Sequence, residues 1–200
     1  MKKLYFAVVV IITLLSTSFA QQKPLAFDGE RRLKNIKQLT FGGENAEAYF
    51  SSDGKQLIFQ SKRDGHACDR IYRMNIDGSN VKQVSNGEGR TTCSYFFKGG
   101  KRVLYASTHG GAKECPPNPD FTQGYVWAVY SDYDIYTSTP DGKDIKKLTN
   151  TPGYDAEATV SPKGDKIVFT STRNGDIDLY LMDIDGSNVK QITTELGYDG

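Results

Sequence analysis

Three cysteines and two histidines are the residues of this 200-residue sequence best suited to metal or redox chemistry. They are Cys68, Cys93, Cys115, His66 and His109. No pair has the C-x-x-C or H-x-x-x-H spacing typical of zinc sites, so a zinc or copper site is the weaker interpretation. In an exported protein a disulfide is favoured, with one thiol left over. The pairing stays open, and Cys93 with either Cys68 or Cys115 is preferred because Cys93 lies between the other two.

The N-terminus has the pattern of an export signal. Two lysines follow Met1, residues 4–15 are almost wholly apolar, and small residues precede Gln21. This order predicts a signal peptide over residues 1–20, cleaved near Ala20. A membrane anchor is the weaker alternative because the apolar stretch is short for a bilayer. We therefore expect a periplasmic or secreted protein with no membrane span after cleavage.

The sequence lacks the common short motifs of catalytic and phosphate-binding sites. It contains no G-x-S-x-G elbow, no H-E-x-x-H motif and no glycine-rich phosphate loop. Lys plus Arg (25) nearly balances Asp plus Glu (24), which gives no support for nucleic-acid binding. We expect a binding protein rather than an enzyme, with no catalytic residues, no cofactor and no metal. Its oligomeric state stays open.

A repeated pattern indicates which elements position these residues. Asn or Asp, an apolar residue, two polar residues, an apolar residue and Thr or Ser recur at 35–40, 80–85, 144–149 and 188–193. Apolar triplets at 57–59, 103–105 and 167–169 are typical of strands buried on both faces. About four strands per repeat and a period in the mid-forties predict an all-β propeller of four-stranded blades. A β-sandwich would not repeat the same residues at fixed spacing.

The repeats also divide the chain into domains. We expect a linker at 21–31, a ring-closing outer strand at 32–40, blades at 41–85, 86–149 and 150–193, and the start of another blade at 194–200. Since propellers close with four to eight blades, these would be the N-terminal three blades of a longer propeller.

Residues 161–173 (SPKGDKIVFTSTR), followed by Leu179-Tyr180, Asp185-Gly186 and Ile192-Thr193, resemble the WD-like propeller repeat of TolB. The propeller of prolyl-oligopeptidase-type peptidases uses the same repeat. Residues 52–63 match nearly as well, whereas the second repeat departs from the pattern at 97–99. The resemblance covers the chain from about Arg32 onward. It implies a six-bladed-type, periplasmic, TolB-like binding propeller.

The second repeat carries an insertion at about 109–131, which makes it about 20 residues longer than the third. Three prolines stiffen it, and its aromatic residues are Phe121, Tyr125, Trp127 and Tyr130. Aromatic side chains offer a large contact area at low entropic cost. We therefore expect the insertion to bind a partner, with simple packing over the blade as the alternative.

Two glutamates, Glu47 and Glu157, occupy equivalent positions near the start of the first strand in their repeats. They could attract a cation or a peptide amine to the central channel. The alternative is hydrogen bonds or ion pairs with neighbouring blades, with Arg63 and Arg173 as candidate partners.

Together these patterns predict a protein that binds an envelope protein or peptide at its loop-rich rim. One alternative is the substrate-gating propeller of a larger periplasmic peptidase with a hydrolase domain beyond Gly200. Another is a sugar- or polymer-binding propeller in which exposed Trp127 and its neighbouring tyrosines stack on rings.

Overall fold

Residues 25–200 are described by a computed structural model, and within them the chain forms twelve strands and no helix. The strands are β1 (Glu44–Phe50), β2 (Gln56–Lys62), β3 (Arg70–Asn75), β4 (Lys82–Gln83), β5 (Thr91–Phe96), β6 (Val103–Ser107), β7 (Asp134–Ser138), β8 (Lys146–Lys147), β9 (Asp155–Val160), β10 (Lys166–Ser171), β11 (Asp178–Asp183) and β12 (Lys190–Gln191). Nothing in this range is a helix long and apolar enough to cross a membrane. The predicted signal peptide lies outside the described residues.

The strands form three antiparallel sheets of four, each in sequential order: β1 to β4, β5 to β8 and β9 to β12. Short turns with Gly in the left-handed region join neighbouring strands, as at Gly54 (φ 67°) and Gly186 (φ 88°). The outer strand of each sheet is only two residues long and exposes a lysine, which blunts the free edge. Each sequence repeat thus forms one four-stranded antiparallel sheet, which is the blade expected of a propeller. The predicted fold class is confirmed.

The apolar triplets lie in the second strand of each sheet, where both faces are covered. Ile58 packs between the first and second sheets with Val103 and Tyr105. Leu104 points the opposite way and packs with Ile167 of the third sheet. This alternation follows from the two-residue period of a strand. Each fully buried side chain of this size stabilises the fold by about 1.5–3 kcal/mol.

The first strand of each sheet contains a β-bulge at the same position. The pairing shifts register between Ala46 and Tyr49, and the equivalent shifts occur in β5 and β9. The bulge residues, Glu47, Cys93 and Glu157, have φ of 52°, 50° and 54°. A bulge re-aims the side chain that it carries. The three strands therefore present three equivalent side chains.

Residues 39–200 form one structural unit, and the described residues before Leu39 belong to another. In the described part of that first unit, Glu30 accepts hydrogen bonds from the backbone N–H groups of Arg32 and Leu33 (2.6 and 3.1 Å). Residues 32–40 form no strand in the structure. Their role as a closing strand stays a prediction.

Candidate functional site

A disulfide between Cys68 and Cys115 ties the insertion to the loop before β3. The preferred pairing of Cys93 was wrong, since Cys93 keeps a free thiol. Cys93 lies between the others in sequence, but it sits at the bulge of β5. The insertion instead folds back toward the first sheet, so that Cys115 reaches Cys68 with 5.9 Å between their Cα atoms.

The side chain of Arg70 contacts this disulfide. Its guanidinium is buried (4% exposed) and donates hydrogen bonds to the Gly89 carbonyl and to Cys68 Sγ. Burial lowers the pKa of Arg70 from its usual value. In the other two sheets the equivalent position holds an aspartate, Asp134 or Asp178, which accepts a hydrogen bond from a threonine hydroxyl (3.1 and 3.2 Å). Aligning the repeats would have revealed this exchange.

The insertion packs some of its aromatic rings and exposes others. Tyr130 donates a hydrogen bond to the Pro117 carbonyl and lies 6.1 Å from the ring of Tyr133. Trp127 donates from Nε1 to the Tyr154 hydroxyl at 3.4 Å. Half of Trp127 and 81% of Tyr125 nevertheless remain exposed. Phe121 is also exposed and stacks on Tyr125 with 6.3 Å between ring centres. Some aromatic side chains of the insertion therefore pack over the blade and others stay exposed, and partner binding by the exposed ones stays a prediction.

Glu47, Cys93 and Glu157 line one pocket together with Trp127 of the insertion. Glu47 accepts a hydrogen bond from the Tyr49 hydroxyl at 2.6 Å, and this bond raises the pKa of Tyr49 to about 12. Glu157 accepts one from the Tyr198 hydroxyl at 3.0 Å. We call this pocket the bulge pocket. Its two carboxylates make it acidic.

The ion pairs considered for the two glutamates with Arg63 and Arg173 do not form. Arg63 bonds to Asn45 Oδ1 at 3.1 Å and lies over the ring of Phe59 in its own sheet. Arg173 bonds to Asp155 Oδ1 at 3.0 Å.

Arg173 also lies over the rings of Phe169 and Tyr180, at 5.0 and 4.7 Å. Each arginine therefore caps the hydrophobic core of its own sheet through cation–π contacts. This leaves the glutamate carboxylates turned toward the bulge pocket.

The two histidines do not converge. His66 Nε2 is 2.9 Å from Gln83 Oε1, and the ring of His109 contacts that of Tyr136 at a tilt, with 4.1 Å between ring centres. Burial lowers the pKa of His109. Within residues 25–200 no cluster of three His, Cys, Asp or Glu side chains is placed to hold a metal.

A cavity of about 160 Å³ lies under the insertion. The rings of Trp127, Tyr130, Tyr133 and Tyr154 line it, together with the charged side chains of Asp69 and Arg90. We call it the insertion cavity. Sequence reasoning found Trp127 and Tyr130 but missed the other four, since nothing in the primary order places residues 69, 90 and 154 beside the insertion.

Comparison with known proteins extends these observations. No family model matches the sequence. A TolB homologue of Chlorobium luteolum is 27% identical over 145 residues, covering 62% of this chain and 33% of the homologue. The crystal structure of TolB from Acinetobacter baumannii matches with a TM-score of 0.60 and 25% identity, covering 78% of this chain and 34% of that one. Dipeptidyl-peptidase 5 of Porphyromonas endodontalis is 23% identical over 125 residues, covering 60% of this chain and 15% of the peptidase.

The chain therefore spans about a third of the length of the TolB homologue that it matches. Its three sheets agree with the blades expected from the repeats, and its similarity to TolB extends to both sequence and structure. In sequence and in structure this chain is similar to TolB, and its fold is that of a TolB-like β-propeller.

Proposed function

We propose that the chain is part of a periplasmic, non-catalytic, TolB-like propeller that binds an envelope protein or peptide at the rim carrying the insertion. The observation that carries the proposal is the disulfide-anchored insertion, which exposes Phe121, Tyr125 and Trp127. Large rigid aromatic side chains are enriched among the residues that dominate binding energy at protein interfaces. The disulfide agrees with an oxidising compartment.

The bulge pocket adds electrostatic selectivity to this surface. Glu47 and Glu157 share it with Trp127. Complementary charge raises association rates and rejects wrong partners. A partner segment with a basic residue is therefore favoured over an acidic one.

Site-specific photo-crosslinking in living cells tests this proposal. Benzoylphenylalanine at Tyr125, which is 81% exposed, should yield a discrete adduct that mass spectrometry identifies as one envelope protein. The same probe at Phe50, exposed at the far end of β1, is the matched control and should yield none. Trp127→Ala should then weaken the affinity for the identified protein at least tenfold. Equal adducts at both positions, or unchanged affinity in Trp127→Ala, would refute the proposed surface.

A second function is favoured by the similarity to dipeptidyl-peptidase 5. In this alternative the propeller gates substrate access to a hydrolase domain beyond Gly200. Intact mass and C-terminal sequencing of the native protein distinguish the two. A further hydrolase domain with a G-x-S-x-G elbow supports the gate, and its absence supports the binding protein.

A further inference from the structure

The insertion cavity combines aromatic walls with polar side chains. Trp127, Tyr130, Tyr133 and Tyr154 supply the rings. The carboxylate of Asp69 also lines the cavity, and within residues 25–200 no side chain donates a hydrogen bond to it. Burial raises the pKa of Asp69. A partly buried carboxylate with so few hydrogen bonds costs free energy unless a ligand or water satisfies it.

The charge of the cavity argues against an ionic ligand. Asp69 is balanced by Arg90, which lines the same space and lowers the pKa of the carboxyl group by electrostatic attraction. Arg90 is held in place, since it donates to Asn118 Oδ1 at 2.9 Å and lies over the ring of Tyr130 at 5.8 Å. A cation would be repelled by Arg90, and an anion by Asp69. The balance favours a neutral polar ligand.

The free hydrogen-bonding groups fit a ligand rich in hydroxyls. Gln60 and Asn118 line the cavity, and the side-chain oxygen of each already accepts a bond from the protein, from Cys93 N–H and from Arg90. Their amide NH₂ groups remain as donors, beside the Asp69 carboxylate as acceptor. A hydroxyl group both donates and accepts, so adjacent hydroxyls can satisfy both kinds of partner at once.

The size and the walls of the cavity fit one six-membered ring. A space of about 150 Å³ is known to hold a ligand as large as benzene. The C–H faces of a pyranose are apolar and suit an aromatic wall, while its hydroxyls radiate from the rim of the ring.

We propose that the insertion cavity binds one pyranose ring of a neutral glycan, with the ring packed against Trp127 and its hydroxyls bonded to Asp69, Gln60 and Asn118. This goes beyond the proposed protein partner. The two proposals are tested separately. The sugar site is tested by substituting polar residues that line the cavity, while the exposed aromatic rings of the insertion are left unchanged.

Trp127 is the only tryptophan of the sequence, so its fluorescence reports directly on the cavity. The protein is titrated with maltotriose, cellotriose and chitotriose while tryptophan emission is recorded, and isothermal calorimetry is run in parallel. At least one trisaccharide should give a saturable blue shift. Asp69→Asn should weaken its affinity about tenfold, because bonds to charged groups are the stronger ones. Asn118→Ala, on the exposed part of the insertion, provides a second variant and should also weaken binding.

Asp141→Asn is the matched control, since Asp141 is exposed at the turn between β7 and β8, and it should bind as the unaltered protein does. Thermal unfolding verifies that each variant is folded. No saturable response to any of the three sugars would overturn the proposal, as would full affinity in both cavity variants. An acetylated and amidated Ala-Lys-Ala peptide that binds in place of the sugars, with loss in Asp69→Asn, would instead make the cavity a site for a basic side chain.

Discussion

Cys93, Glu47 and Glu157 occupy the same bulge position in three successive sheets, yet only the glutamates are charged. Burial, followed by the nearby carboxylates of Glu157 and Glu47, raises the pKa of the Cys93 thiol to about 12. The thiol is therefore protonated at neutral pH and is a weak nucleophile. At the bulge of the second sheet, a cysteine thus replaces the glutamate found in the other two sheets, and its thiol is not reactive at neutral pH.

The raised pKa of Cys93 predicts a loss of stability in alkali. The unfolded thiol ionises near pH 8.5, whereas the folded thiol stays protonated until about pH 12. Its contribution to stability is therefore complete below about pH 8.5 and declines as the pH rises toward 12. Between pH 8 and 10.5, the free energy of unfolding of the unaltered protein should fall by about 2.5 kcal/mol more than that of Cys93→Ala. Urea unfolding at a series of pH values measures this difference, and parallel curves would contradict it.

Among the elements, the insertion depends most on a covalent bond. It has no strand of its own between β6 and β7, and the Cys68–Cys115 disulfide, the Arg70 guanidinium and the packed ring of Tyr130 hold it. A long loop without secondary structure needs such anchors to keep one conformation. The binding surface and the insertion cavity therefore both depend on the disulfide.

Removal of the disulfide should loosen the insertion and spare the sheets. The bond joins residues 47 positions apart, so the variant with Cys68→Ala and Cys115→Ala should lose about 2–4 kcal/mol of stability. Trypsin should then cut faster after Lys113, the only Lys or Arg between positions 103 and 142. Far-ultraviolet circular dichroism should keep its β-sheet signal.

Cys93→Ala is the control for this pair of substitutions and should leave the rate of cleavage unchanged. Equal cleavage in the oxidised protein and the double variant would show that packing alone holds the insertion.

Across the whole molecule, each sheet contacts its neighbours through an apolar layer. A β-carbon added to Gly186 in the third sheet would lie 2.6 Å from the Leu148 carbonyl of the second. The equivalent Gly78 of the first sheet meets the Leu39 carbonyl at 3.0 Å. Leu39 thus lies where a preceding blade would place its outer strand. This supports the closing-strand proposal for residues 32–40.

The layer between the second and third sheets should be sensitive to cavities. Leu104 is fully buried there, so Leu104→Ala should lower the free energy of unfolding by about 3 kcal/mol. Leu196→Ala, at a leucine that is 96% exposed, is the matched control and should change it by less than about 0.5 kcal/mol. Urea unfolding measures both variants. Equal effects would mean that the two sheets do not pack as described.

The sequence by itself determined the strands and their grouping. Turns and buried strands are set by residues only a few positions apart. Because these short patterns recur along the chain, they can be recognised in the sequence, as at 57–59 and 167–169. The insertion and its aromatic residues could also be identified from the sequence, because the second repeat is longer than the other two.

Only the tertiary structure decided which side chains meet. The Cys68–Cys115 pair, the stacking of Arg63 and Arg173 on core rings, and the approach of Asp69 and Arg90 to Trp127 all depend on how the insertion and the blades fold over one another. Such contacts join residues tens of positions apart. They are fixed by packing and desolvation, which local sequence patterns do not encode.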